Sequence, residues 1–248
     1  MPNWCENKLQ ILCDAEQAKI LIPKLFTQIN EEQWCLDFNL LVTMPEDLNI
    51  NSDSIGANSQ RLLELPRNKA VTYPMIKKYL PLADMNYFRK KAKQHHWKVG
   101  DLIRWLAKRP AMQKHIFINL EHGQRYIDNL VKYGYTDWYD WSCVTWGCKW
   151  NVCEDSCYPC FNPDGSIDCF FDTAWNPPEA WFATLCETFP DIEFTLSFYE
   201  PGMWFAGEYV ANLDGTYHEI IIDDCEIQSF AEDVFDAEFE DDILTIKL

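Results

Sequence analysis

Residues 167–199 read IDCFFDTAWNPPEAWFATLCETFPDIEFTLSFY. The stretch changes period twice. Its last part, IEFTLSFY, alternates apolar and polar residues, the two-residue period of a half-buried strand. Its first part, IDCFFDT, is also strand-like. Between them Pro177 and Pro178 open a segment in which Trp181, Leu185 and Phe189 recur every fourth residue. That spacing puts one apolar stripe on a helix, and proline suits a helix's first turn. The pattern predicts strand 167–173, helix 177–189 and strand 192–199.

Working outward, strands over 204–212 and 217–223 flank Leu213-Asp214-Gly215-Thr216, a hairpin signal. A strand over 146–152 precedes the turn Asn162-Pro163-Asp164-Gly165, and a last strand falls at 243–248. The opening of the chain reads β–α–β. WCENKLQIL (4–12) alternates, Asp14 caps a helix over 15–29 striped by Ile20, Leu21, Leu25 and Ile29, and a strand over 35–41 ends near Met44-Pro45. This order predicts an α+β protein with a ferredoxin-like (split βαβ) antiparallel sheet and helices on one face. Residues 1–48 and 116–248 form that body, and 49–115 form a mostly helical basic insertion. Within the insertion, helices over 85–96 and 101–108 (capped by Asp101) are punctuated by Pro66, Pro74, Pro81 and Pro110. A further helix over 121–133 ends at Gly134.

At 248 residues, 48% of them apolar, the chain can bury a substantial core. No run approaches the roughly 18 apolar residues of a membrane helix. The N-terminus lacks the basic and apolar regions of a signal peptide, so a reducing cytoplasm is the expected compartment. Eleven cysteines, an odd number, read as reduced thiols rather than a disulfide framework.

Charge is unevenly distributed. The net charge is −18, yet residues 61–114 carry fourteen Lys/Arg against three acids. Residues 137–248 carry two Lys against twenty-five acids. Basic residues with rings among them suit nucleic acid, because cations neutralise phosphates and rings stack on bases. Arg89, Lys90, Lys91, Lys93, Arg104, Lys108 and Arg109 are therefore candidate partner-binding residues, with Tyr73, Tyr79, Tyr87, Phe88, Trp97 and Trp105 interleaved. The electrostatic objection is that the acidic remainder repels the same ligand. Dense carboxylates on a rigid scaffold can instead imitate a phosphate array. Asp233, Asp236, Glu238, Glu240, Asp241 and Asp242, with Phe230, Val234, Phe235 and Phe239 between them, are candidates for that role or for an amphipathic helix over the sheet.

Cys143, Cys148, Cys153, Cys157 and Cys160 include one CxxC. A structural zinc site normally has two such knuckles, and a redox CxxC runs straight into a helix. Here FNPDG, a turn, follows Cys160. His95 and His96 are adjacent and so point to different helix faces. No GxGxxG, GxxxxGK[ST], HExxH or GxSxG occurs. The sequence thus leads to no catalytic residues, no cofactor and no metal, with a zinc- or thiol-dependent protein as an alternative.

The aromatic stretch YGYTDWYDWSCVTWGCKWN (133–151) carries the pattern GYxDWYDW…WGxKWN. Together with MPNWCENKLQI at the start, MPEDL at 44–48, TAWNPP at 173–178 and YEPGMWFAGEY at 199–209, it resembles the YubB-like proteins of plasmids and phages. That resemblance implies a C-terminal ferredoxin-like domain and a mobile-element origin, without implying an activity. The family usually shows Thr where this chain has Cys148, which argues against a required thiol there. Trp138, Asp140, Trp141, Trp146, Lys149 and Trp150 make up the structural motif. In a strand over 146–152, Trp146, Cys148 and Trp150 would share one face. Lys149 would form ion pairs with carboxylates such as Asp137 or Asp140. The functional expectation is a non-enzymatic protein that binds and modulates a host protein, as a counter-defence inhibitor or nucleic-acid mimic. The alternative is a nucleic-acid-binding module acting through the basic helices.

Overall fold

The computed structural model describes residues 3–80 and 82–239. The chain divides into two units, Met1–Met44 with Trp141–Leu248, and Pro45–Asp140.

The first unit is built on one six-stranded antiparallel sheet. Its strands are β1 (Trp4–Leu12), β4 (Tyr158–Phe161), β5 (Ile167–Ala174), β6 (Glu193–Glu200), β7 (Phe205–Ala211) and β8 (Tyr217–Ile221), in the order β4-β5-β1-β6-β7-β8. Helix α1 (Ala15–Leu25) follows β1, and α10 (Glu179–Thr188) joins β5 to β6. Taking β1, β4, β5 and β6 as first to fourth, the spatial order is fourth-first-third-second. Every neighbouring pair is antiparallel, so the ββ-α-β pattern is the split βαβ arrangement of a ferredoxin-like fold. Strands β7 and β8 extend it past β6. A separate two-stranded ribbon, β2 (Phe26–Gln28) with β3 (Trp34–Leu36), and the short helix α2 (Phe38–Leu41) follow α1.

Strand parity sorts the sheet into two faces. Cys5, Asn7, Leu9 and Ile11 of β1 lie opposite Thr173, Phe171, Cys169 and Ile167 of β5 and, from Asn7 on, Phe198, Leu196 and Phe194 of β6. These residues are all buried, and Trp181, Phe182 and Leu185 of α10 and Leu21 and Leu25 of α1 are buried as well. Asp14 caps α1 as predicted, accepting from the amides of Glu16 and Gln17 at 2.9 and 2.8 Å. The opposite face carries Glu6, Lys8 and Gln10, and near β6–β7 it is covered by α11 (Ile227–Phe235). Ile227 and Ala231 of α11 pack with Tyr199 and Ala206.

The second unit is helical: α3 (Ser54–Leu63), α4 (Tyr73–Tyr79), α5 (Met85–Gln94), α6 (Val99–Ala107), α7 (Pro110–His115) and α8 (Leu120–Tyr133), then the start of α9 (Trp138–Thr145). Its own core includes Leu62, Ile76, Leu80, Phe88, Leu102, Leu106 and Ile116. It runs over 45–140 rather than 49–115, because α8 packs on α3. Gly123 allows that approach, since a Cβ there would lie 2.5 Å from the Ser59 Cβ. The unit carries sixteen Lys/Arg against ten acids, so the body carries five against twenty-nine.

Several expected elements shift. Residues 146–152 form no strand. Helix α9 runs to Thr145 and a tight turn follows, in which Gly147 has φ +89° and the Ser142 hydroxyl donates to the Lys149 carbonyl at 2.7 Å. The parity argument for Trp146, Cys148 and Trp150 therefore fails: Trp146 and Cys148 are buried, whereas Trp150 is exposed. The strand expected at 35–41 ends at Leu36, where Asp37 caps α2 by accepting from the Asn39 amide at 3.0 Å. Asp101 is not an N-cap; α6 starts at Val99, and the Asp101 carboxylate accepts from the Lys98 amide at 2.9 Å. Pro74 and Pro110 start helices rather than interrupt them. Pro81 and the strand expected at 243–248 lie outside the described residues.

Candidate polyanion interface

The helical unit positions its cations by simple amphipathic logic. In α5 the Asp84 carboxylate caps the first turn, accepting from Asn86 and Tyr87 amides at 2.9 and 3.0 Å. Phe88 and Ala92 face the core, so Arg89, Lys90 and Lys93 project outward, with Lys91 half-buried. After α5 the chain turns at His96 (φ +48°), and the Trp97 amide donates to the Ala92 carbonyl at 3.0 Å. A short bridge then ties this segment to 69–71: the Val71 amide donates to Trp97 and the Val99 amide to Lys69.

The result is a cleft of about 370 Å³ whose walls include Tyr73, Arg89, Lys93, His96 and Trp97. Tyr73 is 49% exposed, and Trp97 is nearly buried against Trp105, 5.4 Å between ring centroids. Arg89 and Lys93 sit one turn apart on the same stripe, where like charges repel by about 0.2–0.5 kcal/mol. Neither makes a salt bridge among the described residues, and the same holds for Lys90, Lys91 and Lys108. The remaining basic candidates are engaged internally. Arg104 pairs with Asp101 at 2.6 Å, and Arg109 stacks 4.3 Å from the Trp105 ring centroid while donating to the Trp105 carbonyl. Of the seven cations singled out from sequence, the fold brings Arg89 and Lys93 together in the cleft. Tyr73 and His96 beside them are the aromatic and third basic partner.

Asp233, Asp236 and Glu238 are exposed, and Glu240, Asp241 and Asp242 lie outside the described residues. Helix α11 is thus the amphipathic helix over the sheet that the apolar spacing allowed, with its acids turned outward. Of the aromatic motif, Trp141 and Trp146 meet edge to face at 5.1 Å, and the Trp146 indole donates to the Val42 carbonyl at 3.0 Å. Trp138 is half-buried, and Asp140 is exposed at the end of the helical unit. Trp150 lies 6.1 Å from Trp4, and the Lys149 ammonium sits 4.2 and 4.6 Å from the Trp150 and Trp175 ring centroids.

All eleven cysteines are free. Cys157 is buried and Cys160 exposed, so the CxxC does not converge into a metal knuckle. A neighbouring thiol, Cys169, at 3.7 Å pushes Cys157 up to about 12, and burial does the same to Cys148. Such thiols stay protonated and weakly reactive. Among the described residues no group of three or more His, Cys, Asp or Glu is placed to hold a metal ion. Nor is any helix there long and apolar enough to cross a membrane.

Residues 145–245 match the family model described as a ferredoxin-like domain in Api92-like protein. That match covers the C-terminal part of the chain, a ferredoxin-like domain. Strands β4 to β8 fall within the match, whereas the central strand β1 comes from the N-terminus. The C-terminal domain implied by the sequence resemblance is therefore present. Among solved structures, this chain is similar to a crystal structure of protein api92 from Yersinia pseudotuberculosis. The identity is 12% and the TM-score 0.41, over 90% of this chain and 99% of that one. No curated protein matches.

Proposed function

We propose that the protein is a non-enzymatic interaction protein of a mobile element that binds nucleic acid through its helical unit. The observation that carries this reading is the cleft in which exposed Tyr73 stands among Arg89, Lys93 and His96. Cations alone would serve any polyanion, but an exposed ring beside them suits a base that stacks. The acidic body then acts as a counterweight that disfavours non-specific attachment along the phosphate backbone. A mobile-element setting accords with the YubB-like resemblance.

Fluorescence anisotropy with a labelled single-stranded oligonucleotide tests it, with heparin as a polyanion that offers no bases. Binding that Tyr73→Leu weakens for the oligonucleotide and leaves intact for heparin supports the reading. Equal loss for both, or no binding at all, sinks it. A second reading rests on the outward acids at the end of α11 and just after it, in which Asp233, Asp236 and Glu238 imitate phosphates on a host DNA-binding protein and so counter host defence. Retention of a host protein that Asp233→Asn/Asp236→Asn/Glu238→Gln abolishes would favour it.

A further inference from the structure

The ferredoxin-like body contains a second cleft that the proposed function does not use. It has a volume of about 550 Å³ and lies where β7 and β8 extend the sheet beside the start of α10. Residues 205, 207, 209 and 211 of β7 and 217, 219 and 221 of β8 share the face that β6 presents through Phe198. Rings line this corner continuously. Phe198 lies 6.2 Å from Phe205 and 4.8 Å from Tyr209, and Tyr209 lies 5.5 Å from Tyr217. Phe198 and Tyr209 are buried and form the floor, while Phe205 and Tyr217 are half-buried and form the walls.

Two carboxylates complete the lining, and no Lys or Arg is part of it. Glu179, at the start of α10, accepts the Tyr217 hydroxyl at 2.6 Å, which fixes one carboxylate oxygen against the ring wall. Glu219 is exposed at the rim and makes no hydrogen bond or ion pair among the described residues. Burial first, and the charge of Glu179 next, pushes the Tyr209 phenol well up; Tyr217 is raised as well, so both stay neutral donors.

Aromatic faces attract cations, by about 0.5–1 kcal/mol at exposed sites and about 2 when water is excluded. Carboxylates at the rim add direct ion pairing, and a concave apolar floor holds an alkyl stem. We infer that this cleft binds an organic cation, an ammonium or guanidinium head on an apolar stem, with Glu219 and Glu179 as counter-ions and Tyr209, Tyr217, Phe198 and Phe205 as the ring lining. The same chemistry could come from a free polyamine or from a basic side chain of a partner protein. The site lies wholly in the body, so it stands or falls separately from the helical unit's cleft.

The test is titration of the intact protein followed by NMR of its aromatic ring protons. Probes are spermidine, agmatine, a short arginine-containing peptide and, as neutral control, the same peptide with citrulline. Saturable shifts confined to Tyr209, Tyr217, Phe198 and Phe205, with a Kd below about 10 mM, are expected for at least one cation and not for the control. Glu219→Gln, at an exposed position that folding does not need, should weaken binding about tenfold. Tighter binding of the peptide than of the free cations would identify a partner side chain, and the reverse a small molecule. Shifts spread over the whole acidic surface, or binding indifferent to Glu219→Gln, would overturn the inference.

Discussion

Replacing Asp172 by Asn should stabilise this protein, and only at neutral pH. Asp172 on β5 lies directly across from Glu6 on β1, on the sheet face away from α1 and α10. Both are half-buried. Burial raises the pKa of each, and for Glu6 the charge of Asp172 raises it further. A raised carboxyl pKa means that the folded state holds its proton more tightly than the unfolded chain does. The ionised pair is therefore penalised on folding at neutral pH, and the penalty is relieved as pH falls through the folded values. Directly opposed residues have Cβ atoms about 5 Å apart, and two charges at that distance in a near-aqueous medium repel by about 0.8 kcal/mol. Lys8, on the same face but held over the Phe170 ring at 5.2 Å, offsets part of this. A gain of about 0.5–1 kcal/mol should raise the midpoint by about 2 °C in a domain of this size. Thermal unfolding of wild type and Asp172→Asn at pH 7 and pH 4 measures it. A gain at pH 7 that shrinks towards zero at pH 4 is expected. Destabilisation, or an effect equal at both pH values, would refute the reasoning.

Other perturbations probe other joints. Gly165 has φ +103°, and a Cβ there would lie 2.3 Å from the Asp14 carbonyl carbon, so strain and overlap together should cost about 2–5 kcal/mol on Gly165→Ala. Gly134, with φ +80° but open space around it, should cost only about 1 kcal/mol, and urea midpoints showing equal costs would sink the packing argument. Lys149→Gln removes an ammonium shared between Trp150 and Trp175, for an expected loss of about 1–2 kcal/mol in urea unfolding; an unchanged midpoint would mean the stacking contributes nothing.

Much of the sheet was legible because β1 alternates throughout and β5 and β6 do so over part of their length. Helix α10 between β5 and β6 shows its stripe, so their type and order follow from the residues alone. β4 escaped because YPCF is four residues long, contains proline and sits at a sheet edge, where little burial pattern is imposed. The false strand at 146–152 arose from Trp and Cys in alternation. Trp146 and Cys148 are buried instead by a tight turn, whose one local signal was Gly147. α8 was assigned to the wrong unit, because the contact that decides it is long-range. Its trace in the sequence is a glycine, Gly123, in mid-helix. For the candidate cleft, composition gave the cations and rings but not which of them converge. That depended on the turn at His96 and the bridge from Ala70 to Lys98.

The central claim is that Arg89 and Lys93 meet phosphates, and the salt dependence of oligonucleotide binding measures it most directly. For single strands the slope of log K against log salt is about −0.7 per neutralised phosphate. Arg89→Ala/Lys93→Ala should therefore flatten the slope by about 1.4 while leaving the unfolding midpoint near wild type, since both side chains are exposed. An unchanged slope, or no binding by the wild-type protein at about 50 mM salt, would contradict the account.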